Sequence, residues 1–339
     1  MRLSPLILAF ALVGCAGETA TKDAGTGADE CKVTIKTTTP TADATNAYYR
    51  GTIEFELTDA DPSATITTDI PGAQSVRGDK TIVWTPSAPL APLTAYSATL
   101  SYCGGDATIN FTTSDLGTSI ADAQTLLGRT YNLALGDARI VEPAGIGSLL
   151  GQYLTVDILT GVAEVSDTNL TIIGSLGVAD SDPPIQDFCN PTIPFPEADF
   201  TDAPYFLISG AGTDTHIQVA GYDVVIQDLI ISGTFAPDGS YYGGGVLEGT
   251  IDTRAFDKLV SDDAEEGAVC GLAPSFGVEC QACPGGAGDF CLSILADSII
   301  AEEVSGTSLV EQAGNDCTGC ETWTEDTVPA EADQTCPME

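Results

Sequence analysis

Residues 228–252, DLIISGTFAPDGSYYGGGVLEGTID, decide how the larger part of this chain folds. Two runs rich in β-branched and aromatic residues, 228–235 and 241–252, flank Ala236-Pro237-Asp238-Gly239-Ser240. Proline presets one turn angle there and glycine supplies a positive φ, so the stretch reads as a β-hairpin. Gly243-Gly244-Gly245 leads into a strand and not into a helix N-terminus. It lacks the setting of a phosphate loop and is expected to let the strand bend or bulge at a barrel corner. Outward from the hairpin, further strands are expected at 130–135, 152–160, 169–176, 205–209, 215–220 and 291–302. Thr118–Leu127 fits one or two helical turns. Asp252 or Thr253 caps a short helix through about Val260, with Arg254 and Lys258 four apart on one face. Seven or eight strands with one late helix fit a twisted antiparallel sheet curling toward a barrel or a sandwich.

Before this region, residues 31–114 alternate short β-branched runs (33–39, 52–57, 81–84, 96–102, 108–113) with Pro/Gly/Asp turns. Ile53, Phe55 and Leu57 point one way and Glu54 and Glu56 the other, the pattern of a half-buried strand. Trp84-Thr85-Pro86, then Leu90-Ala91-Pro92-Leu93-Thr94-Ala95-Tyr96, then Phe111-Thr112-Thr113, resemble the bacterial Ig-like domain found in surface and cell-envelope proteins. The resemblance covers about a quarter of the chain and implies a β-sandwich in which Pro86 and Pro92 stiffen a connection and Tyr96 is a buried aromatic. The sequence departs from that family between Ser101 and Ile109, where a clipped Cys-Gly-Gly-Asp stands. Cys103 in that turn is expected to pair with Cys31, closing a loop of about 70 residues worth about 4 kcal/mol in chain-entropy terms. The fold class expected is therefore all-β: an Ig-like sandwich (31–114), a larger antiparallel β domain, barrel-like or sandwich, with one short helix (115–303), and a disulfide-rich C-terminal region ending in an irregular tail (304–339).

The chain opens MRLSPLILAFALVGC, one positive charge followed by an apolar run too short to remain as a membrane-spanning helix. Leu12-Val13-Gly14-Cys15 resembles the bacterial lipoprotein signal. That resemblance implies removal of residues 1–14 and lipidation of Cys15. Residues 15–30 are small and polar and are expected to form a lipidated flexible tether. Ala16, where that family's inner-membrane members carry aspartate, points to the outer membrane or the cell surface.

Acidic residues number 49 against 11 Lys and Arg, and the imbalance is concentrated: residues 115–339 carry 37 acidic and 4 basic side chains, a net −33. Such a surface repels nucleic acid and anionic headgroups and excludes a nucleic-acid partner. With Cys15 set aside, ten of the eleven cysteines remain, an even number that suits disulfides in an oxidising compartment. They are Cys31, Cys103, Cys189, Cys270, Cys280, Cys283, Cys291, Cys317, Cys320 and Cys336, and sequence does not choose among the pairings beyond the first domain. Cys280-Gln-Ala-Cys283 and Cys317-Thr-Gly-Cys320 have the knuckle spacing of a four-cysteine zinc site, but their long separation and the oxidising setting favour disulfides. No cofactor is expected; Asp180, Asp182 and Asp187, beside the stiff Pro183-Pro184, are the best candidates for a calcium ion. The single histidine, His216, is expected to face water. No HExxH or G-x-S-x-G pattern occurs. The leading expectation is a cell-envelope lipoprotein with no catalytic activity, anchored in the membrane, its Ig-like spacer presenting the acidic domain to an unknown protein or glycan ligand. An envelope polysaccharide hydrolase using paired carboxylates, or a zinc-binding module, are the alternatives.

Overall fold

The computed structural model describes residues 31–143, 157–178, 181–188, 190–219, 222–261, 263–286 and 288–312. Eight strands form the first unit: β1 (Ile35–Thr39), β2 (Ala44–Ala47), β3 (Ile53–Leu57), β4 (Thr65–Thr67), β5 (Gly72–Arg77), β6 (Thr81–Pro86), β7 (Ala95–Tyr102) and β8 (Gly105–Thr113). They make two four-stranded sheets, in the orders β1-β3-β6-β5 and β2-β8-β7-β4. Alternation along β3 and β7 turns Ile53, Phe55, Leu57, Ala98 and Leu100 inward, where they meet Ile82, Ile109 and Phe111 in one apolar core. Tyr96 is only half buried; its ring packs beside Phe111, and its hydroxyl accepts from the Ala91 N–H at 3.0 Å across the proline-bounded connection. Cys31 and Cys103 are bonded, and the Asp61 carboxylate accepts from the Cys103 N–H at 2.7 Å.

The second unit adds β9 (Thr130–Leu133), β10 (Arg139–Glu142), β11 (Ile158–Val165), β12 (Asn169–Leu176), β13 (Ile193–Pro194), β14 (Ala198–Asp199), β15 (Tyr205–Ser209), β16 (Asp214–Val219), β17 (Tyr222–Phe235), β18 (Tyr241–Asp252) and β19 (Cys291–Glu303). The order β19-β18-β17-β15-β14-β12-β11-β9 closes on itself, because β9 also pairs with β19. This is an eight-stranded barrel, a circumference that side chains alone can fill. Five aromatics fill it: Tyr131, Phe200, Phe206, Phe235 and Tyr242, with neighbouring ring centroids 5.1–6.2 Å apart. Their polar atoms are satisfied where they lie. The Tyr131 hydroxyl donates to the Gly239 carbonyl at 2.9 Å, and the Tyr242 hydroxyl is 2.9 Å from Thr160 Oγ1.

The hairpin at 228–252 pairs β17 with β18, its register shifting between Gln227 and Ile230 and between Ser232 and Thr234, and the ladder of β18 with β19 shifts between Tyr242 and Gly245 and between Gly245 and Leu247. The glycine run therefore forms the expected bulge. The helix expected from Thr253 to Val260 is a 3-10 turn, Thr253–Phe256, running into α1 (Asp257–Val260), and a second short helix, α2 (Ala268–Leu272), follows. Ala123–Leu126 is a 3-10 turn whose N-cap is Asp122. After β19 the chain is irregular through residue 312, held by paired bonds between Val310 and the Gln186 side chain. Residues 313–339, 1–30 and most of the expected 152–160 strand lie outside the described residues.

The first unit is not a spacer hung from one end. It is docked on the barrel, and this corrects the expected arrangement. Tyr48 Oη lies 2.8 Å from Thr234 Oγ1, Arg50 lies 3.9 Å above the Tyr205 ring while donating to Asp202, and Leu116, Ala236 and Tyr241 pack against the sandwich core. Glu54 keeps the direction that strand alternation gives it but not the solvent exposure. Its side chain leaves the sandwich core as the alternation requires, yet the residue is 4% exposed because β10 brings Arg139 over it. Arg77 donates to the same carboxylate at 2.6 Å, Thr52 at 2.7 Å, and Arg139 goes on to pair with Asp297 of β19.

Burial alone pushes the Glu54 carboxyl up, but the hydrogen bonds from Arg139, Arg77 and Thr52 outweigh it and hold it at about 2. The folded chain then takes up this proton less readily than the unfolded chain. The contribution is complete above the ordinary glutamate range and is lost as pH falls from there through about 2. Urea midpoints measured against pH should show Glu54→Gln weaker than wild type by about 1–3 kcal/mol near neutrality, the gap shrinking as the solution is acidified. Gly244 has φ +60°, and a Cβ there would stand 2.2 Å from the Tyr48 ring. Gly244→Ala should therefore cost about 1–3 kcal/mol in the same measurement, and Tyr48→Ala in that background should recover part of it.

Candidate functional site at the stapled end of the barrel

Where β18 gives way to β19 the chain does not make a short turn. Asp252 and Cys291 face each other across the ladder, and residues 253–290 form a lobe between them. Thr253 closes its base, the N–H and the hydroxyl both donating to the Phe290 carbonyl, at 3.0 and 2.7 Å. Asp252 caps the 3-10 turn through the Arg254 N–H and takes the Arg254 guanidinium as well. That guanidinium also reaches Glu266 at 3.0 Å and lies 5.3 Å from the Phe290 ring centroid. Asp257, buried, accepts from the N–H groups of Gly267 and Val269 at 2.8 and 3.0 Å, which fixes the first turn of α2.

Two disulfides staple the lobe, Cys270–Cys280 and Cys283–Cys291. The C-x2-C pair is thus split between two bridges. The zinc-module reading is corrected by this pairing, since Cys280 and Cys283 have no thiolate to offer a metal. The Asp252 carboxylate does lie with the sulfurs of Cys283 and Cys291 in a cluster spanning no more than 4.8 Å, the one three-donor cluster among the described residues. Both sulfurs there are committed to each other.

Beside the lobe, Val225, Asp252, Arg254, Ala255, Asp257, Lys258, Ala264 and Glu266 line an open cleft of about 540 Å³. Arg254 and Lys258, expected on one helical face, both line this cleft, Arg254 from the 3-10 turn and Lys258 from α1. The side chains are mostly engaged with one another. The Arg254 guanidinium is neutralised by two carboxylates, and Asp257 spends both oxygens on backbone. Hydrogen bonds from Arg254 hold the Asp252 carboxyl below the usual range. Among the described residues every carboxyl whose titration departs from the ordinary range, Glu54, Asp61, Asp199, Asp238 and Asp252, is depressed. A carboxylate-pair hydrolase needs one raised instead, so its general acid finds no support in these groups.

Of the remaining sequence-based candidates, His216 is exposed on β16, as its place opposite the buried Thr215 requires. Asp187 accepts from Asn190 Nδ2 at 2.6 Å, Asp182 stands in the preceding loop, and Asp180 lies outside the described residues. Cys15, Cys189, Cys317, Cys320 and Cys336 also lie outside them. Sequence reasoning missed Glu266 and Phe290 as partners of Arg254; their only signal was the charge of one and the size of the other.

No protein-family model matches the chain, and no curated protein does. Solved structures similar to it include two transpeptidases. One is an L,D-transpeptidase from Mycobacterium smegmatis, 14% identical over 60% of this chain and 76% of that one, with a TM-score of 0.22. The other is the LD transpeptidase LdtMt1 in complex with imipenem, 12% identical over 45% of this chain and 78% of that one, with a TM-score of 0.21. The expectation of a chain with no catalytic activity is corrected here and withdrawn: the solved structures that the chain matches include two transpeptidases. At these scores the likeness goes no further, and no activity is carried over from them.

The split of the C-x2-C pair is directly checkable. A non-reducing digest read by mass spectrometry should return Cys270 linked to Cys280 and Cys283 linked to Cys291; a Cys280–Cys283 link would contradict the lobe as described. Replacing both Cys283 and Cys291 by serine should lower stability by about 2–3 kcal/mol, the chain-entropy value for so short a loop.

Proposed function

We propose that the chain is an exported, lipid-anchored protein of the cell envelope, held through Cys15 to the outer membrane or cell surface, whose Ig-like unit and acidic barrel act as one docked head. The observation that supports this best is the use of cysteine. Three bridges among the described residues take six cysteines, Cys31 with Cys103, Cys270 with Cys280 and Cys283 with Cys291. Four others remain beyond the signal, Cys189, Cys317, Cys320 and Cys336, again an even set. Cys15 is the odd one, and it stands at the end of the lipobox-like Leu12-Val13-Gly14-Cys15. Two or three acyl chains on that residue give stable attachment, since each buried methylene contributes about 0.8 kcal/mol.

The docked arrangement gives this anchor a purpose. A head whose units are joined by Glu54, Tyr48 and Arg50 carries a surface too acidic to lie against anionic headgroups. A protein or glycan ligand, not the bilayer and not nucleic acid, is what such a head meets.

Cells fed a labelled fatty acid should incorporate it into the wild-type protein and not into Cys15→Ala, and the label should fractionate with the outer membrane. Recovery of wild-type protein soluble and unlabelled would end the proposal.

A further inference from the structure

The Cys270–Cys280 bridge closes a ring, Cys-Gly-Leu-Ala-Pro-Ser-Phe-Gly-Val-Glu-Cys, at the tip of the lobe. Ala273 and Val278 turn inward and are buried. The backbone between them is turned tightly, with the Gly277 N–H on the Pro274 carbonyl, the Val278 N–H on the Ala273 carbonyl, and Gly277 itself at φ +74°. This pins the ring from within and leaves its two largest side chains outside. Leu272 is 48% exposed and Phe276 is 54% exposed, in a chain with 49 acidic residues against 11 Lys and Arg. Single exposed apolar residues are ordinary on soluble proteins. Here two are set four apart on one ring that a disulfide, a proline and a left-handed glycine hold in shape. Rigidity of that kind lowers the entropy lost when a partner is met.

Charge narrows the partner. Between residues 253 and 290 the sequence places seven acidic side chains against two cations, Arg254 and Lys258. Asp263 and Glu265 in the lobe and Glu279 in the ring are exposed, while Glu266 is engaged by Arg254. An anionic bilayer is repelled by these groups, and so is a second copy of a chain with net charge −38. An apolar pocket rimmed by Lys or Arg is attracted by them and accepts Leu272 and Phe276 at its centre, the arrangement of a buried anchor within a polar rim.

We infer that the Cys270–Cys280 ring is a docking loop for a basic partner protein, with Leu272 and Phe276 entering an apolar pocket and the lobe's carboxylates meeting its cationic rim. The inference does not depend on lipidation of Cys15. It is tested on the exported full chain with a short synthetic amphipathic helix of leucine and lysine as the probe, followed by fluorescence anisotropy. The probe should bind more weakly as salt is added. Its affinity should fall about tenfold or more for Leu272→Ser/Phe276→Ser, and comparably for Asp263→Asn/Glu265→Gln/Glu279→Gln, while thermal melting of both variants stays that of wild type. A leucine and glutamate version of the probe should not bind. Equal affinity for wild type and Leu272→Ser/Phe276→Ser overturns the proposal, because attraction to diffuse negative charge then accounts for the binding. Preferential binding to phosphatidylcholine vesicles, or self-association lost in the same double variant, overturns it in favour of a membrane or a second copy.

Discussion

An eight-stranded barrel is just wide enough to be filled by side chains or by one small ligand, and here side chains fill it. Tyr131, Phe200, Phe206, Phe235 and Tyr242 occupy the space, and each buried phenol finds its partner inside, Gly239 for one and Thr160 for the other. A buried hydroxyl left unpaired would cost more than the bond contributes, so the interior is fixed chemically as well as sterically. With the interior committed, anything the barrel does must happen on its outside. Two places there depart from a plain solvated surface: the seam with the sandwich and the lobe between β18 and β19.

The seam turns on a charge placed on what would otherwise be an outer face. Glu54 leaves the sandwich in the direction that β alternation demands, and Arg139 arrives from the barrel to meet it. A carboxylate so enclosed is tolerable only with several donors, and Arg77 and Thr52 complete the set. The apolar part of the seam is simpler. Tyr48 lies where Gly244 has no side chain, so the bulge in β18 and the aromatic of the sandwich fit each other. These two contacts lie on different strands and, with Arg50 on Tyr205 and Asp202 and the packing of Leu116, Ala236 and Tyr241, set the orientation of the two units.

Much of this architecture was legible because a strand's alternation and a hairpin's turn are local. Strands 53–57, 81–86, 95–102 and 205–209, the hairpin of β17 and β18, and the glycine bulge follow from periods of two and from Pro-Asp-Gly chemistry. The short strands β2, β4 and β5, and β10 and β14, were not legible. Their residues, such as Ala44–Ala47 and Gly72–Arg77, are small, polar or exposed, and only the ladder beside them makes them strands. Closure of the barrel depends on β9 pairing with β19 across most of the domain, a contact with no local trace. The same holds for Glu54 with Arg139. At the lobe, sequence placed the Asp252 cap and the Arg254 and Lys258 pair, but which cysteine meets which is set by the path of residues 253–290 and not by the C-x2-C spacing itself.

Asp252 and Cys291 sit opposite one another as the last pair of a ladder that is complete without anything between them. Thr253 then ties the base shut through the Phe290 carbonyl. Residues 253–290 thus leave and re-enter the barrel at a single ladder pair, and the Cys283–Cys291 bridge fastens them back onto the strand they rejoin.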